Sequence, residues 1–367
     1  MSEIKAGSYS VFVAADIAKE INRFLKANES RFSKLFILVD ENSLKHCYPR
    51  MATHVPGFKD AEIIELESGE ESKNIEICTQ IWSALSDYGA DRQSLFVNLG
   101  GGVISDMGGF TASAFKRGIN FINIPTTLLS QVDASIGGKV GIDLNNLKNE
   151  IGLFSNPLAV FVDTAFLQTL DKRQLLSGFA EMIKHALIAD AAYWQKIKLA
   201  DFSDFKKLDS LIETSIRIKN KIVQEDPFEK NVRKSLNFGH TIGHALETYF
   251  MDAPDNRAPL LHGEAVAAGM ICEAYLSSTV INLSDNSLKE ITDFILSKYK
   301  LILLREKDLD NITALMLHDK KNENGLVNFS LIPSIGKCEI NKTAEAGLVK
   351  KSLRYYSEQA ALLNRLN

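Results

Sequence analysis

The chain has few cysteines, no long apolar run and no excess of positive charge, and each shortage narrows its possible functions. Its 367 residues include only Cys47, Cys78, Cys272 and Cys338, which lie far apart and form no Cys-x-x-Cys pair. So few cysteines in a chain of this size are typical of reducing compartments. We therefore expect a cytoplasmic location and reduced, mostly buried thiols, with neither disulfides nor a cysteine-based zinc site.

No segment has the 18 or more consecutive apolar residues that span a bilayer, and the opening MSEIKAGSYS lacks the apolar core of a secretory signal. Lys and Arg number 42 against 46 Asp and Glu, which gives a formal net charge of −4. That balance argues against nucleic acid as a partner, although it leaves room for a local cationic pocket. We expect neither a membrane nor a nucleic-acid partner.

The two halves of the chain differ in their apolar pattern. In the first half, helical stretches alternate with short β-rich runs at 34–40, 61–67, 94–100, 119–125 and 158–163. This alternation predicts a buried parallel sheet with helical crossovers. From residue 172 onward the pattern is mainly helical, with one strand-like run at 326–336. We therefore predict an α/β domain at 1–171 and a mainly helical domain at 172–367.

A glycine-rich segment, LGGGVISD, follows the third β-rich run. It places Gly100, Gly101 and Gly102 where a strand is expected to end and a helix to begin, which is a common place for a pyrophosphate. The segment departs from the dinucleotide fingerprint, because Ser105 replaces its last glycine and no acidic residue follows about twenty positions later. Two interpretations stay open: a tight turn of an α/β fold, and a nucleotide-binding turn.

The segment PTTLLSQVDASIGGK follows the next β-rich run and offers hydroxyl groups and a lysine. Thr126 and Thr127 stand at a predicted strand end, and two glycines precede Lys139. Such a turn either presents the ammonium group to an anion or simply carries a solvated lysine. Lys148 and Asn149 form a second pair of this kind.

Three of the seven histidines fall in two short motifs. His240 and His244 are four residues apart in HTIGH, so a helix places both on one face, and His262 begins another predicted helix. With an acid such as Glu181 or Glu264, two imidazoles suit a catalytic zinc-type site with an open position.

Two alternatives weigh against the simplest metal assignment. The histidines could instead be core or helix-end residues bonded to backbone carbonyls, and His185, four residues after Glu181, competes with His240 as a ligand. HTIGH shares the spacing of HExxH, but Thr241 stands where a metalloprotease needs its glutamate base, so we exclude a metalloprotease.

Many basic residues lie near these motifs. Singly, each is most often a solvated charge, but together they suggest a substrate with several negative charges, such as a phosphate and a carboxylate. They are Arg117, Lys139, Lys148, Lys184, Lys219, Arg233, Lys320 and Lys321.

Seven motifs in a fixed order, between about residues 36 and 340, resemble the 3-dehydroquinate synthase family. They are GGGVISD, KRGINFINIPTTLLSQVDASIGGK, LKNEIG, GFAEMIKH, RKSLNFGHTIGHALE, HGEAVAAGM and HDKK. The resemblance implies a Rossmann-like α/β N-terminal domain, a mainly α-helical C-terminal domain, a homodimer, NAD, and zinc or cobalt. It also implies conversion of 3-deoxy-D-arabino-heptulosonate 7-phosphate into 3-dehydroquinate and phosphate. The steps would be transient oxidation at C5, phosphate elimination, reduction, ring opening and aldol closure.

The resemblance also implies a role for particular residues. The metal ligands would be Glu181, His240 and His262. The catalytic residues would be His244, Lys139, Glu229, Arg233, Lys184 and Lys219. The substrate would contact Arg117 (from the neighbouring subunit), Asp133, Lys139, Asn149, Lys184, Lys219, Arg233, Asn237, His244 and Lys320 or Lys321. NAD would contact Asp40, Asn42, Glu70, Lys73, Gly102, Val103, Ile104, Ser105, Asp106, Thr126, Thr127, Asp133, Lys139, Lys148, Phe166, Leu167 and Thr169.

Three other functions remain as alternatives: a related sugar-phosphate cyclase, a metal-dependent polyol or glycerol dehydrogenase, and a non-catalytic homologue. A sibling cyclase would share the fold, NAD and metal site and differ at the substrate carboxylate. A polyol dehydrogenase would produce net NADH from a small neutral substrate, to which the many cationic positions are poorly suited.

Overall fold

The structure is a computed structural model that describes residues 1–145, 147–202, 205–251, 257–317 and 326–366. Its first half alternates strands and helices. In chain order these are β1 (Ser2–Ala6), β2 (Tyr9–Ala14), α1 (Ala18–Ala27), β3 (Leu35–Asp40), α2 (Glu41–His46), α3 (Tyr48–His54), β4 (Glu62–Leu66), α4 (Ile75–Asp87), β5 (Leu95–Gly100), α5 (Gly102–Ala114), β6 (Asn120–Pro125), β7 (Lys139–Leu144), β8 (Leu147–Phe154) and β9 (Ala159–Asp163). All five predicted β-rich runs are confirmed as strands.

The second half is mainly helical, as predicted. Its elements are α6 (Lys172–Ala189), α7 (Ala191–Lys198), α8 (Phe205–Glu225), α9 (His240–Met251), α10 (His262–Ile281), α11 (Asp285–Lys298), α12 (Glu306–Leu317), β10 (Leu326–Ser334), β11 (Lys337–Glu345) and α13 (Ala346–Leu366). The strand-like run at 326–336 is β10, and it pairs antiparallel with β11.

The chain forms two compact units that differ from a simple division at residue 171. The first comprises Met1–Leu175 and Phe202–Gln224, and the second comprises Leu176–Asp201 and Glu225–Asn367. Helix α8 therefore packs with the α/β unit, because the side-chain amides of Asn220 and Gln224 donate to the carbonyl of Lys5 in β1, at 2.8 and 2.7 Å. The apolar pattern identifies α8 as a helix but does not indicate which unit it joins.

The first unit is built on a seven-stranded sheet of order β1-β2-β9-β6-β5-β3-β4. Only the β1–β2 pair is antiparallel; the other neighbours are parallel. The chain runs outward from β3 to β4 and then returns to the other side of β3 to form β5. The point between β3 and β5 is thus a topological switch point, where ligands of open α/β sheets bind beyond the carboxyl ends of the strands.

Both faces of this sheet are covered, which explains why the strands are apolar throughout rather than alternating. On one face, Ile37, Val39 and Val97 pack with residues of α1 and α3. On the other, Phe36 and Phe96 pack with residues of α4, α5 and β7. The central strands thereby hold their carboxyl ends in fixed positions.

Strands β7 and β8 form an antiparallel hairpin in the segment where the sequence predicts only turns at Lys139 and at Lys148–Asn149. Lys139 is the first residue of β7, and Asn149 lies in β8. The two strands approach closely at Gly141 and Gly152, where an added Cβ would lie 2.7 Å from a backbone oxygen of the opposite strand. Short, half-exposed strands with central glycines have a weak apolar alternation, so the sequence does not predict these two strands.

Helix α10 is the one helix of the described residues that is long and apolar enough to cross a membrane by length and composition. About two thirds of its most apolar window, 67%, is buried inside the protein. Burial of that extent is usual for a central core helix. The sequence predicts a helix from His262 but no uninterrupted apolar run of membrane-spanning length, because Glu264 and Glu273 lie within it.

Candidate active site

Glu181, His240 and His262 lie together in the second unit and form a candidate metal centre. The Nε2 atoms of His240 and His262 each lie 3.5 Å from Oε1 of Glu181, and the three ligand atoms fall within 4.8 Å of one another. Zn–N and Zn–O bonds near 2.0–2.1 Å at tetrahedral angles place neighbouring ligands about 3.3 Å apart. The donor types and spacings therefore fit a divalent cation held by two imidazoles and a carboxylate.

The other ring nitrogen of each ligand histidine also has a partner. Nδ1 of His240 lies 3.2 Å from the carbonyl of Phe238, and Nδ1 of His262 lies 3.4 Å from Oε2 of Glu247. Such partners fix the ring orientation and the tautomer, which leaves Nε2 as the donor to a metal. Glu247 is buried in the same helix as His240.

The electrostatics of this cluster favour bound positive charge. Burial, reinforced by the Lys184 ammonium, lowers the pKa of His240 well below its usual value, so this ring is a neutral ligand. Burial also lowers the pKa of His262, but the carboxylates of Glu181 and Glu247 outweigh it and raise the pKa to about 10. Two acids and a neutral imidazole at one place attract a cation.

Close glycine contacts bring the ligand-bearing helices together. An added Cβ at Gly263 would lie 2.0 Å from the carbonyl oxygen of Ser177 in α6, and one at Gly269 would lie 2.1 Å from that of Gly239. A Cβ at Gly243 would lie 3.1 Å from Cα of Val266. The positions of His240 and His262 therefore depend on glycines that let α6, α9 and α10 approach one another.

Two further predicted residues border the ligand cluster. The ring of the exposed His244 lies 5.2 Å from that of His240 and 5.8 Å from that of His262. It is therefore close enough to exchange a proton with a group bound at the candidate metal centre. Lys184, which is 1% exposed, forms an ion pair with Oε2 of Glu181. His240 and His262 share Oε1 of Glu181, and in the described residues no group of two imidazoles and one acid that could hold a metal includes His185.

Glu229, Arg233 and Asn237 lie in one turn-rich segment of the second unit. The Asn237 amide donates to Oε1 of Glu229 at 3.0 Å, and the buried Arg233 guanidinium donates to the Pro227 carbonyl at 2.6 Å. Asp226 fixes the backbone, because its carboxylate accepts hydrogen bonds from three amides of residues 230–233. The structure thus brings these three predicted residues into one segment.

In the first unit, the glycine-rich turn leads from β5 into α5 at the switch point. A Cβ at Gly100 would lie 2.5 Å from Ile104, and one at Gly101 would lie 3.2 Å from Thr127. The Thr126 amide donates to the Gly100 carbonyl at 2.9 Å. The first amides of α5, at Gly102 and Val103, therefore face beyond the strand ends, where a helix N-terminus binds phosphate. Ser105 is buried, and its hydroxyl donates to the Gly102 carbonyl at 3.0 Å.

A short π-helical turn, Ser130–Ala134, carries Asp133 and follows the threonines. Thr127 starts this turn, since its Oγ1 accepts a hydrogen bond from the Ser130 amide at 3.2 Å. Lys219 of α8 reaches Asp133, with Nζ 2.6 Å from its carbonyl and 2.8 Å from Oδ1. These two predicted residues therefore form an ion pair within the first unit, in which Lys219 is buried and Asp133 is half-buried.

A second network of the first unit is centred on the buried Lys73. Its Nζ lies 2.8 Å from Oδ2 of Asp106, 2.6 Å from Oδ1 of Asn149 and 3.8 Å from Oε1 of Glu70. Nζ of Lys148 lies 3.4 Å from the same Glu70 oxygen. Burial lowers the pKa of Lys73, but the nearby carboxylates of Asp106 and Glu70 raise it by more. The pKa therefore lies above its usual value, and the ammonium stays charged.

The other predicted residues occupy several places. Asp40 ends β3 and caps α2 by accepting from the Ser43 amide at 2.7 Å, and Asn42 is exposed in that helix. Phe166, Leu167 and Thr169 lie in the turn Thr164–Thr169 after β9. Lys139 and Arg117 are exposed, and Arg117 has a positive φ of 70°. Lys320 and Lys321 lie outside the described residues.

Comparisons with known proteins match most of the chain, including the residues of both candidate sites. The family models described as 3-dehydroquinate synthase N-terminal and C-terminal match residues 63–177 and 178–322. A 3-dehydroquinate synthase from Parabacteroides distasonis is 44% identical over 351 residues, which cover 95% of this chain and 98% of that relative.

This chain belongs to the 3-dehydroquinate synthase family.

Solved structures with the same fold include other sugar-phosphate cyclases. A 2-deoxy-scyllo-inosose synthase, complexed with carbaglucose-6-phosphate, NAD+ and Co²⁺, is 24% identical with a TM-score of 0.84 over 96% of this chain and 99% of that one. A 2-epi-5-epi-valiolone synthase from Streptomyces hygroscopicus, with NAD+ and Zn²⁺ bound, has a TM-score of 0.82 at 24% identity over 98% and 99% of the two chains. This 3-dehydroquinate synthase family member therefore shares its fold with both of these synthases.

Three residues of this 3-dehydroquinate synthase family member join the candidate sites without having been predicted. Glu247 bonds His262, Asp143 accepts the Asn149 amide at 2.7 Å, and Glu273 accepts amides at the start of α9. The only signal for Glu247 and Glu273 in the sequence is an acid at helical spacing from a ligand histidine. Spacing of that kind is too common to single them out.

Proposed function

We propose that the chain catalyses the reaction of its family, the conversion of 3-deoxy-D-arabino-heptulosonate 7-phosphate into 3-dehydroquinate and phosphate. The observation that carries the proposal is the cluster in which Glu181 Oε1 lies 3.5 Å from Nε2 of both His240 and His262, in a chain 44% identical to a 3-dehydroquinate synthase. Oxidation, phosphate elimination, reduction, ring opening and aldol closure leave no net change in redox state.

The second unit would hold the metal and the groups that move protons near it. Glu181, His240 and His262 would be the metal ligands, and Glu247 would orient His262. When bound, a divalent metal supplies a Lewis acid for the substrate hydroxyls and NAD supplies a reversible hydride acceptor. His244, beside the ligand rings, would transfer protons to and from those hydroxyls.

Fixed cations would hold the carboxylate and phosphate of the substrate. Lys184 stands beside the metal ligand Glu181, Arg233 and Asn237 share a segment with Glu229, and Lys219 is held by Asp133. Lys139, Asn149 and Lys320 or Lys321 complete the proposed substrate contacts.

NAD would bind to the first unit at the switch point of its sheet. The segment from Gly102 to Asp106 would hold the pyrophosphate, through the amides of Gly102, Val103 and Ile104 in the first turn of α5. Asp40 and Asn42 at the end of β3, the network of Glu70, Lys73 and Lys148, Thr126 and Thr127, and the turn with Phe166, Leu167 and Thr169 would contact the rest of NAD.

The chain would work in the cytoplasm as a homodimer with zinc or cobalt. All four cysteines are free thiols, and three of them are buried, which suits a reducing compartment. Arg117 would reach the substrate phosphate of the neighbouring subunit. In support, it is exposed and lies in a turn where Lys116, Arg117 and Gly118 all have positive φ, a backbone state that needs surrounding structure to hold it.

A substrate comparison tests the proposal. The purified protein is given Co²⁺ and NAD+ with the heptulosonate 7-phosphate, with a heptulose 7-phosphate that lacks the carboxylate, or with glycerol. We expect phosphate release and 3-dehydroquinate from the first substrate alone. Turnover only on the sugar phosphate without a carboxylate would identify a sibling cyclase, and NADH from glycerol would identify a polyol dehydrogenase.

A further inference from the structure

Helix α9 begins at the metal ligand His240 without a side chain of its own to cap it. The preceding residue is Gly239, which has a φ of +80° and no side-chain oxygen to accept from the first amides of the helix. The first turn of a helix leaves up to four amides without intrahelical partners, and these are usually satisfied by a Ser, Thr, Asp or Asn at the N-cap.

A capping side chain does not fit at this position. An added Cβ on Gly239 would lie 2.5 Å from Cγ of Met270 and 3.1 Å from the carbonyl oxygen of Val266, both in α10. The close packing of α9 on α10 therefore excludes the usual N-cap residues. Any partner for the first amides of α9 has to come from another element.

Glu273 of α10 is that partner. It is 0% exposed, its Oε2 accepts from the Gly239 amide at 2.6 Å, and its Oε1 accepts from the Ile242 amide at 3.1 Å. The Thr241 amide also contacts this carboxylate. A carboxylate at a helix N-terminus is also favoured by the helix dipole.

We propose that Glu273 is a positioning residue for the metal centre, because it ties the first turn of α9, with His240, to α10, whose first residue is His262. The carboxylate lies three helical turns after His262 along α10, so one rigid helix carries both a ligand and the anchor of the other ligand helix. This inference rests on the proposed metal site. It assigns Glu273 a role through His240 and not through contact with substrate or metal.

The variant Glu273→Gln tests this role with Co²⁺ alone as the probe. Glutamine keeps the shape but replaces one accepting oxygen by an NH₂ group, so one of the amides loses its partner. We expect the Kd for Co²⁺ to rise about 10–100-fold, the usual effect of losing an outer partner of a metal ligand. The visible absorption band of bound Co²⁺ should change, whereas the Kd for NAD+ should stay within about twofold, because none of the proposed NAD contacts lies in α9 or α10.

The matched control is Glu290→Gln. Glu290 is a partly buried acid of the same unit that accepts from Trp194 at 2.8 Å and Lys198 at 2.6 Å, and it contacts neither α9 nor a ligand in the described residues. Its variant should bind Co²⁺ like the wild type. An unchanged Kd and spectrum for Glu273→Gln would overturn the inference alone, whereas a wild type that binds no Co²⁺ would overturn the proposed function as well.

Hydrogen exchange of the wild type keeps the inference testable if Glu273→Gln does not fold. We expect the amides of Gly239, Thr241 and Ile242 to exchange slowly and to slow further when Co²⁺ binds, because the carboxylate and the metal hold the same turn. Exchange at the rate of solvent-exposed amides, or a rate that Co²⁺ does not change, would overturn it.

Discussion

Among single residues, the orientation of the two histidines in the proposed metal centre depends on their Nδ1 atoms, which point away from Glu181. His240 and His262 present Nε2 to the same carboxylate oxygen because their Nδ1 atoms have other partners, a backbone carbonyl and Glu247. A backbone carbonyl cannot be removed by substitution, whereas Glu247 can. The two ligands therefore differ in how easily their orientation is lost.

Replacing Glu247 should weaken metal binding without removing a ligand. In Glu247→Gln the amide oxygen can still accept from Nδ1 of His262, but the negative charge that makes the ring a stronger metal ligand is lost, so we expect the Kd for Co²⁺ to rise about 10–100-fold. Competition with a chelator measures this Kd. A Kd equal to that of the wild type would show that Glu247 does not orient His262.

Substitution of His244 should lower the reaction rate without weakening metal binding, unlike substitution of a proposed ligand histidine. His244→Asn should lower kcat about 10²–10⁴-fold, the usual contribution of a general acid or base, while the Kd for Co²⁺ changes less than about twofold. Steady-state rates and cobalt titration of the same preparation test both parts. Loss of cobalt binding together with activity would contradict its role as a proton-transfer group outside the ligand set.

At the scale of elements, the contact between α9 and α10 should tolerate no added methyl group at Gly269. Its Cβ would lie 2.1 Å from the Gly239 carbonyl oxygen, so Gly269→Ala should destabilise the protein by about 1–3 kcal/mol through overpacking. Urea unfolding measures this change. As a control, Gly347→Ala in α13 meets nothing within 4 Å and should be neutral or stabilising by up to about 1 kcal/mol.

The end of β9 should make stability depend on pH. Burial raises the pKa of Asp163 to about 6, although the Ala165 amide and Arg50 act against the rise. The native state therefore binds this proton more tightly than the unfolded chain does, so the contribution is complete below about pH 4 and is lost as the pH rises through 6. Relative to that of Asp163→Asn, the free energy of unfolding of the wild type should rise by up to about 3 kcal/mol when the pH falls from 7 to 4. A difference in unfolding free energy that is independent of pH would contradict this.

The sequence predicts the elements whose pattern is strong and local. Four of the five apolar runs are inner strands of the sheet, and the run at 61–67 is its edge strand β4. The sequence misses the edge hairpin of β1 and β2, the hairpin of β7 and β8, and the membership of α8 in the first unit, because side-chain contacts between distant parts of the chain decide these. The histidine spacing predicts a shared face for His240 and His244 but leaves the choice between His240 and His185 open, and the roles of Glu247 and Glu273 become visible only when α9 and α10 are packed.

At the scale of the whole molecule, the proposed homodimer predicts complementation between two inactive variants. Arg117→Ala lacks the arginine proposed to cross to the neighbouring site, and Glu181→Gln lacks a metal ligand. After unfolding and refolding of an equal mixture, half of the dimers are hybrids with one intact site, so about a quarter of the wild-type activity should return. No activity above that of the separately refolded variants would contradict the role of Arg117 across the interface.

The central claim is that NAD is used and restored within each turnover. The most direct measurement strips the protein of nucleotide, adds one equivalent of NAD+ with Co²⁺ and excess heptulosonate 7-phosphate, and follows phosphate and NADH absorbance together. We expect many phosphates to be released for each NAD, with no net NADH. NADH accumulating in step with product, or phosphate release that continues without NAD, would contradict it.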